Sequence, residues 1–241
     1  MIKSISVIYP VFNEEERLKR TFDDIKKFEK KIKNIKKEYI FIDDGSTDKS
    51  SEIIKNNFKH KKNVKLLICK KNLGKGYALK RGIEIAKNQW IITTDSDSSV
   101  SLFQLIKWIK KKYFDLNTFI YFASRNHKLS IVKKKNIRKF LGILFKYLIN
   151  IFFKIKISDT QCGFKVYRSS IAKKIFKNIQ TYDYMHDIEI CIISKKYKLN
   201  IKVLPVKWTH IDNSKISFIK DPFKVLLSLL RIYLFYNFKK I

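Results

Sequence analysis

The chain has 241 residues, enough for one large α/β domain or two small ones, and its 45% hydrophobic content with only 6 Gly and 3 Pro excludes a mainly disordered protein. Lys and Arg number 53 against 21 Asp and Glu, a net charge of +32 that calls either for a polyanionic partner (nucleic acid, an anionic membrane surface, phosphorylated substrates) or for a compositional bias toward Lys, Ile, Asn and Phe. The lysines are spread through most segments with no RNP, zinc-finger or basic-zipper pattern, so a nucleic-acid partner is not expected, and the 3 Cys show no metal or C-x-x-C spacing and fit a reducing compartment.

In chain order, the first strand-like run is Ser4–Tyr9, too close to Met1 and too short to be the apolar region of a secretory leader. A helical pattern follows over Glu14–Lys31, then a strand at Tyr39–Ile42 that runs into Asp43-Asp44-Gly45-Ser46. Asp48–Asn57 reads as a helix that Thr47 or Asp48 can cap. Val64–Cys69 is a strand, Gly76–Lys87 a helix, and Trp90–Thr94 a strand that runs into Asp95-Ser96-Asp97. A helix at Leu102–Lys112 and a strand at Thr118–Ala123 complete the alternation. This β-α rhythm predicts a mostly parallel central sheet with helices on both faces. Ser124–Lys135 then reads as a basic, mobile loop.

Two later segments are almost wholly apolar between sparse polar positions at helical spacing. In Lys139–Lys154 these are Lys139, Gly142, Lys146, Asn150 and Lys154; in Lys220–Phe238 they are Lys220, Lys224, Ser228 and Arg231. Each reads as a helix with a wide apolar face and a narrow cationic stripe, suited either to a bilayer interface or to packing against the sheet. No stretch reaches the ~18 uncharged apolar residues of a spanning helix.

The two acidic clusters carry the chemistry. Carboxylates crowded at strand ends repel one another and make sense where a cation and polar ligand groups arrive to be held. In Asp95–Asp97 one carboxylate can face a nucleotide sugar while the other faces Mg²⁺ or Mn²⁺, which suit such oxygen ligands. Turn and capping chemistry explains part of Asp43, Asp44 and Asp48, but hardly two adjacent carboxylates before a glycine. Asn72-Leu73-Gly74-Lys75-Gly76 sits where the third strand hands over to a helix. Its glycines allow a tight turn, its helix start favours anions, and Lys75 adds a point charge, without the spacing of a P-loop. Trp208 suits core packing as well as sugar stacking. His60, His127 and His210 form no metal spacing, and His186 beside a carboxylate is more often structural.

Pro10-Val11-Phe12-Asn13-Glu14-Glu15, Asp43–Asp48, Asn72–Gly76, Asp95–Asp97 and Ser124-Arg125 stand in an order that resembles glycosyltransferase family 2. Asp159-Thr160-Gln161-Cys162-Gly163-Phe164-Lys165, with Val206-Lys207-Trp208 and Asn213-Ser214-Lys215, is similar to its dolichyl-phosphate β-glucosyltransferase branch. The resemblance spans about residues 4–215. It implies a GT-A nucleotide-diphospho-sugar transferase fold over 1–215, with a donor half at 1–115 and an acceptor half at 116–215; beyond it, the apolar pattern with its cationic stripe reads as an amphipathic membrane-associating helix over 216–241. The resemblance implies inverting transfer of a hexose, glucose from UDP-glucose in this branch, to a polyprenyl or dolichyl phosphate, with Mg²⁺ or Mn²⁺, peripherally on the cytoplasmic face of an anionic membrane. By motif position Pro10, Glu14, Asp43 and Asp44 line the nucleoside side, Lys75 and Asp95 face the nucleotide sugar, and Asp97 ligates the metal. Arg125, Arg138 and Lys215 meet the acceptor phosphate. Asp187 occupies the position of the family's usual base and Asp159 is a second candidate. A phosphate monoester, with a second pKa of about 6, needs little deprotonation, and Asp187 then positions the sugar instead. The sequence departs from the family at Tyr77, where a second glycine is usual, and at Asn213, where a glycine is expected before Ser214-Lys215. The alternative readings are a family 2 enzyme acting on a glycan hydroxyl and, far behind, a basic nucleic-acid-binding protein.

Overall fold

A computed structural model describes residues 2–133, 149–211 and 222–238, with side chains from 226 to 237 in the last segment. Arg138, Lys215 and most of the Lys139–Lys154 pattern lie outside the described residues.

Strands β1 (Ser4–Val11), β2 (Lys36–Asp43), β3 (Val64–Ile68), β4 (Trp90–Thr93) and β5 (Ile120–Ser124) fall where the apolar runs predict them. Helices α1 (Leu18–Lys31), α2 (Ser50–Phe58), α3 (Lys75–Ile85) and α4 (Phe103–Lys110) lie between them. Beyond β5 come β6 (Ile131–Lys133), β7 (Lys165–Arg168), α5 (Ser169–Asn178), α6 (His186–Lys196), β8 (Ile201–Pro205), β9 (Lys207–Thr209) and α7 (Pro222–Phe238). The main sheet has the order β3-β2-β1-β4-β7-β5-β8. All its pairings are parallel except those of β7, which runs antiparallel between β4 and β5.

Strands buried on both faces need near-continuous apolar runs, and the central strands have them. In β1, Ile5, Val7 and Tyr9 enter the layer shared with Phe22 and Phe28 of α1, Phe58 of α2 and Trp108 of α4. Ile8 turns the other way, with Ile40 and Ile42, toward Leu79 and Ile83 of α3, Phe176 of α5 and Ile188 of α6. The strand period of two thus feeds two cores, one per face.

Two expectations change. Helix α1 starts at Leu18 rather than Glu14: a turn precedes it, with the Arg17 and Leu18 N–H groups on the Glu14 carbonyl and the Glu14 and Glu15 N–H groups on the Ser50 hydroxyl and the Asp48 carboxylate. The stretch read as a mobile basic loop contains β6, which pairs in parallel with β9 over Ile131–Lys133 and Lys207–Thr209. The Ser130 hydroxyl pins its entry by donating to the Ser124 carbonyl at 2.6 Å and accepting the Val206 N–H at 2.8 Å.

Helix α7 packs on the α3/α5/α6 side. Leu229 and Ile232 are buried, Ser228 donates to Asp183 at 2.7 Å and Tyr236 to Glu189 at 2.6 Å. The expected polar stripe is therefore split: Ser228 faces the domain while Arg231 faces out. The outer side carries Leu226, Leu230 and Leu234, each nearly half exposed. Among the described residues no helix is long and apolar enough to cross a membrane.

Candidate active site

The parallel strands β2, β1 and β4 are neighbours, so their carboxyl ends open on one edge of the sheet. Asp43 closes β2 opposite Val11, and Asp95 and Asp97 leave β4 just beyond Thr93, the partner of Ile8. The two acidic clusters therefore share an edge with Pro10 between them. Ligands in open α/β sheets bind at such an edge.

Within the first cluster, loop chemistry accounts for more than the sequence reading allows. Asp43 is buried and accepts the Ser46 N–H at 2.7 Å and the Ser51 hydroxyl. Asp44 accepts the N–H groups of Leu73 at 3.0 Å and Gly74 at 2.7 Å. Burial pushes the Asp44 carboxyl up and the Asp43 charge adds to this, while the two N–H bonds oppose it. Asp48 does act at the start of α2, accepting the Ser50 N–H at 2.9 Å. Asn13, whose role the sequence does not reveal, stands at φ 54 and accepts the Thr47 N–H at 2.7 Å. It laces the loop after β1 to the loop after β2. A left-handed Asn is the available signal.

The loop that Asp44 holds delivers Lys75 to the second cluster. Lys75 donates to Asp95 at 2.5 Å. Burial works against both charges, but each holds the other ionised: the ammonium is raised by Asp95 and then by Asp187, and the Asp95 carboxyl is lowered by Lys75 and then by Lys165. Gly74, at φ 106, and Gly76 lie against the 181–182 backbone, and the Gly76 N–H donates to the Tyr182 carbonyl at 2.7 Å. Tyr77, the departure from the family pattern, meets the Tyr182 ring edge-on at 5.4 Å.

Asp97 differs from Asp95. One oxygen accepts the Ser99 N–H at 2.8 Å, and among the described residues no Lys or Arg lies within ion-pair reach. Burial and then repulsion from Asp95 push its carboxyl up. A half-buried carboxylate beside another, with the field of Arg17 on it but no Lys or Arg in ion-pair contact among the described residues, has the chemistry of a ligand for a hard divalent cation. Among the described residues no three His, Cys, Asp or Glu side chains form a ready-made cluster, so phosphate oxygens and water must complete such a shell. Glu14 pairs with Arg17 at 2.5 Å. A hollow of about 380 Å³ lies on the α1 and α4 side of this loop, walled by Arg20, Lys27, Lys107 and Lys207, rather than over Asp95.

The other flank of this edge is built on the 159–165 segment. Arg125, just past β5, forks onto Asp159 at 2.7 and 2.8 Å, and its backbone N–H adds a third bond at 2.8 Å. These bonds outweigh burial and hold the Asp159 carboxyl below the usual carboxylate range. Both oxygens are occupied, an arrangement that suits an anchor for Arg125 better than a base. The guanidinium also lies 5.8 Å from the Trp208 ring centre, so Trp208 supports Arg125 from a half-buried position. Asp187, in the first turn of α6, is buried 2.8 Å from the Lys165 ammonium and 3.2 Å from His186 Nε2. Burial acts to raise its carboxyl, but His186, Lys165 and Lys75 together hold it far below the ordinary value. His186 Nδ1 contacts the Asp183 carbonyl at 2.7 Å, which assigns it a structural seat. Lys165 was not among the sequence candidates; its signal was a lysine inside an otherwise apolar strand-like run.

Paired carboxylates at the carboxyl edge of a mostly parallel sheet, with a lysine-bearing helix start between them, define a GT-A type transferase. The chain belongs to glycosyl transferase family 2, whose model matches residues 6–176. It is 33% identical over 230 residues to a dolichyl-phosphate beta-glucosyltransferase of Dictyostelium discoideum, covering 91% of this chain and 69% of that protein. The human protein of the same name is 30% identical over 230 residues, covering 89% and 70%. Among solved structures, glucosyl-3-phosphoglycerate synthase from Mycobacterium tuberculosis, in complex with Mn²⁺, UDP and glucosyl-3-phosphoglycerate, superposes with a TM-score of 0.70 at 14% identity. That match covers 96% of this chain and 80% of the other.

Proposed function

We propose that this chain transfers a hexose, glucose from UDP-glucose, to dolichyl or another polyprenyl phosphate, with inversion at the anomeric carbon. The observation that carries the reading is the chain of contacts Asp44, the 73–74 amides, Lys75 and Asp95, which joins the two acidic clusters along one edge of the sheet. The family relatives, named as dolichyl-phosphate glucosyltransferases, support the acceptor and the sugar.

On this reading the donor lies along the edge from Pro10 and Asp43 to Asp95, with its diphosphate near Lys75. As the bond from the anomeric carbon to the diphosphate oxygen breaks, negative charge collects on the departing nucleotide, where a fixed ammonium in a buried site is most effective. Asp97 is the ligand this chain offers to Mg²⁺ or Mn²⁺, and such an ion, held also by donor phosphate oxygens, supplies charge neutralisation there. The acceptor phosphate monoester, with a second pKa of about 6, is largely dianionic at neutral pH. Its oxygen forms the new bond to carbon without giving up a proton. Arg125, with Arg138 and Lys215, neutralises its charge. Asp187 is engaged by Lys165 at 2.8 Å and by His186 at 3.2 Å, an arrangement that suits an orienting role. Asp187 then orients the sugar and the Lys75 ammonium. Attachment to the cytoplasmic face of an anionic membrane, through the outer leucines of α7 and the surplus of Lys and Arg, completes the proposal.

The test offers purified protein labelled UDP-glucose and Mn²⁺, with either dolichyl phosphate or a neutral oligosaccharide. Label is expected in the lipid. Label in the oligosaccharide alone would overturn the acceptor assignment.

A further inference from the structure

Lys165 begins β7, in register with Thr93 of β4 and Phe122 of β5, and is 2% exposed. Its ammonium donates to Asp187 Oδ1 at 2.8 Å and to the Cys162 carbonyl at 2.6 Å, and stands 4.9 Å from the Phe122 ring centre. Burying an ammonium is costly even when it is paired, and an apolar residue of similar volume commonly stabilises a core as well. Stability alone therefore does not account for a lysine here.

Its two partners belong to different walls of the cleft. Asp187 sits on α6. Cys162 belongs to the 159–163 strap, which Arg125 and Asp159 clamp at the other end. The strap lays Gly163 so close to Asp95 that a Cβ there would run into the carboxylate, and the Gly163 carbonyl accepts the Thr93 hydroxyl at 3.2 Å. The field of Lys165 also reaches Asp95. The site thus alternates in charge: Asp95, Lys75, Asp187, Lys165.

We propose that Lys165 is a positioning residue for the transfer reaction: it ties Asp187 to the wall formed by Gly163 and Asp95 and is the counter-charge of the buried Asp187 carboxylate beside the Asp95–Lys75 pair. The inference rests on the hexosyl-transfer reading and deepens it. Lys165 touches no reacting atom; it acts through Asp187 and Asp95. The groups facing Asp187 are Lys165 and Tyr167 from β7, Lys75 from α3, His186 and Cys191 from its own helix and Asp95 from the loop after β4. When Lys165 is neutralised, Asp187 keeps its burial and loses one of its cations. Its carboxyl then takes up a proton at a higher pH.

The experiment compares wild type, Lys165→Met, Asp187→Asn and the double variant, reading transfer from UDP-glucose to dolichyl phosphate from about pH 5 to 9, with circular dichroism as the check on folding. Lys165→Met is expected to lower kcat about 10²-fold, the usual cost of a small misplacement of reacting groups, with little change in donor KM. A new acid limb in its kcat profile is expected, absent from Asp187→Asn. The double variant is expected to be no worse than Asp187→Asn, because residues acting through one contact are not additive. A folded Lys165→Met with wild-type kcat and pH profile would overturn the proposal, as would losses that simply add in the double variant. If Lys165→Met does not fold, the double variant against Asp187→Asn decides alone: equal kcat supports the proposal and a further loss overturns it. Hydrolysis of UDP-glucose without lipid is read in parallel. Wild-type hydrolysis with no lipid product defeats the acceptor reading, and Lys165 is then judged on the same comparisons made on hydrolysis.

Discussion

Asp159 shows how one carboxylate can be spent on holding another residue. Its two oxygens take three N–H bonds from Arg125, and its folded carboxyl lies below the unfolded value of about 3.9. The stabilisation from this shift is fully present above pH ~4 and is lost as pH falls from there through the lower folded value. Asp159→Asn should therefore flatten the acid limb of a stability profile and cost about 3 kcal/mol in urea unfolding at pH 7. An unchanged acid limb would show that the pair is not formed in solution. Gly163→Ala tests the strap directly. Its Cβ displaces the Asp95 carboxylate, so UDP-glucose affinity should fall about tenfold or more, a loss of ~1.4 kcal/mol or greater, in a protein that remains folded. At this scale the sequence singles out residues that stand in a local pattern, Asp95, Asp97 and Lys75, and the structure brings them together. The sequence hides those whose role is a tertiary approach. Gly163 matters because of a carboxylate 68 positions earlier in the chain, and Lys165 because of a partner one helix away.

Helix α7 presents apolar residues on two sides, and the sides should behave differently. Leu229 is 1% exposed, so Leu229→Ala should cost about 2–5 kcal/mol in thermal or urea unfolding. Leu230, 47% exposed, should cost within about 0.5 kcal/mol when changed to Ser. Flotation with anionic liposomes should show the reverse order: Leu230→Ser together with Leu234→Ser should float less than Leu229→Ala. Equal flotation would argue that α7 only packs on the domain. The elements up to β5 are legible because strand and helix patterns alternate and each strand carries a mostly apolar stretch. Those after β5 are less so. Strand β7 enters between β4 and β5 in the antiparallel sense, a placement fixed by long-range pairing rather than by its own four residues. Strand β6 is three residues long, and its apolar side chain Ile131 is 59% exposed, so no local burial pattern marks it.

Across the whole molecule, the +32 charge and the strand-end acids pull in opposite directions. A polyanion drawn to the lysine-rich surface meets carboxylates at the sheet edge, where only a ligand that brings its own cation, or is received by Lys75, can settle. The charge therefore fits an anionic surface beside the site, and flotation should weaken as salt rises past 0.1 M, where the screening length is about 10 Å. A TM-score of 0.70 at 14% identity to a solved structure shows the fold kept while most side chains differ. Calorimetric titration of UDP-glucose into wild type and Asp97→Ala, each with and without Mn²⁺, tests the cleft most directly. Binding that requires Mn²⁺ in wild type and is lost in a folded Asp97→Ala protein is the predicted result. Equal binding by both proteins, indifferent to Mn²⁺, would contradict it.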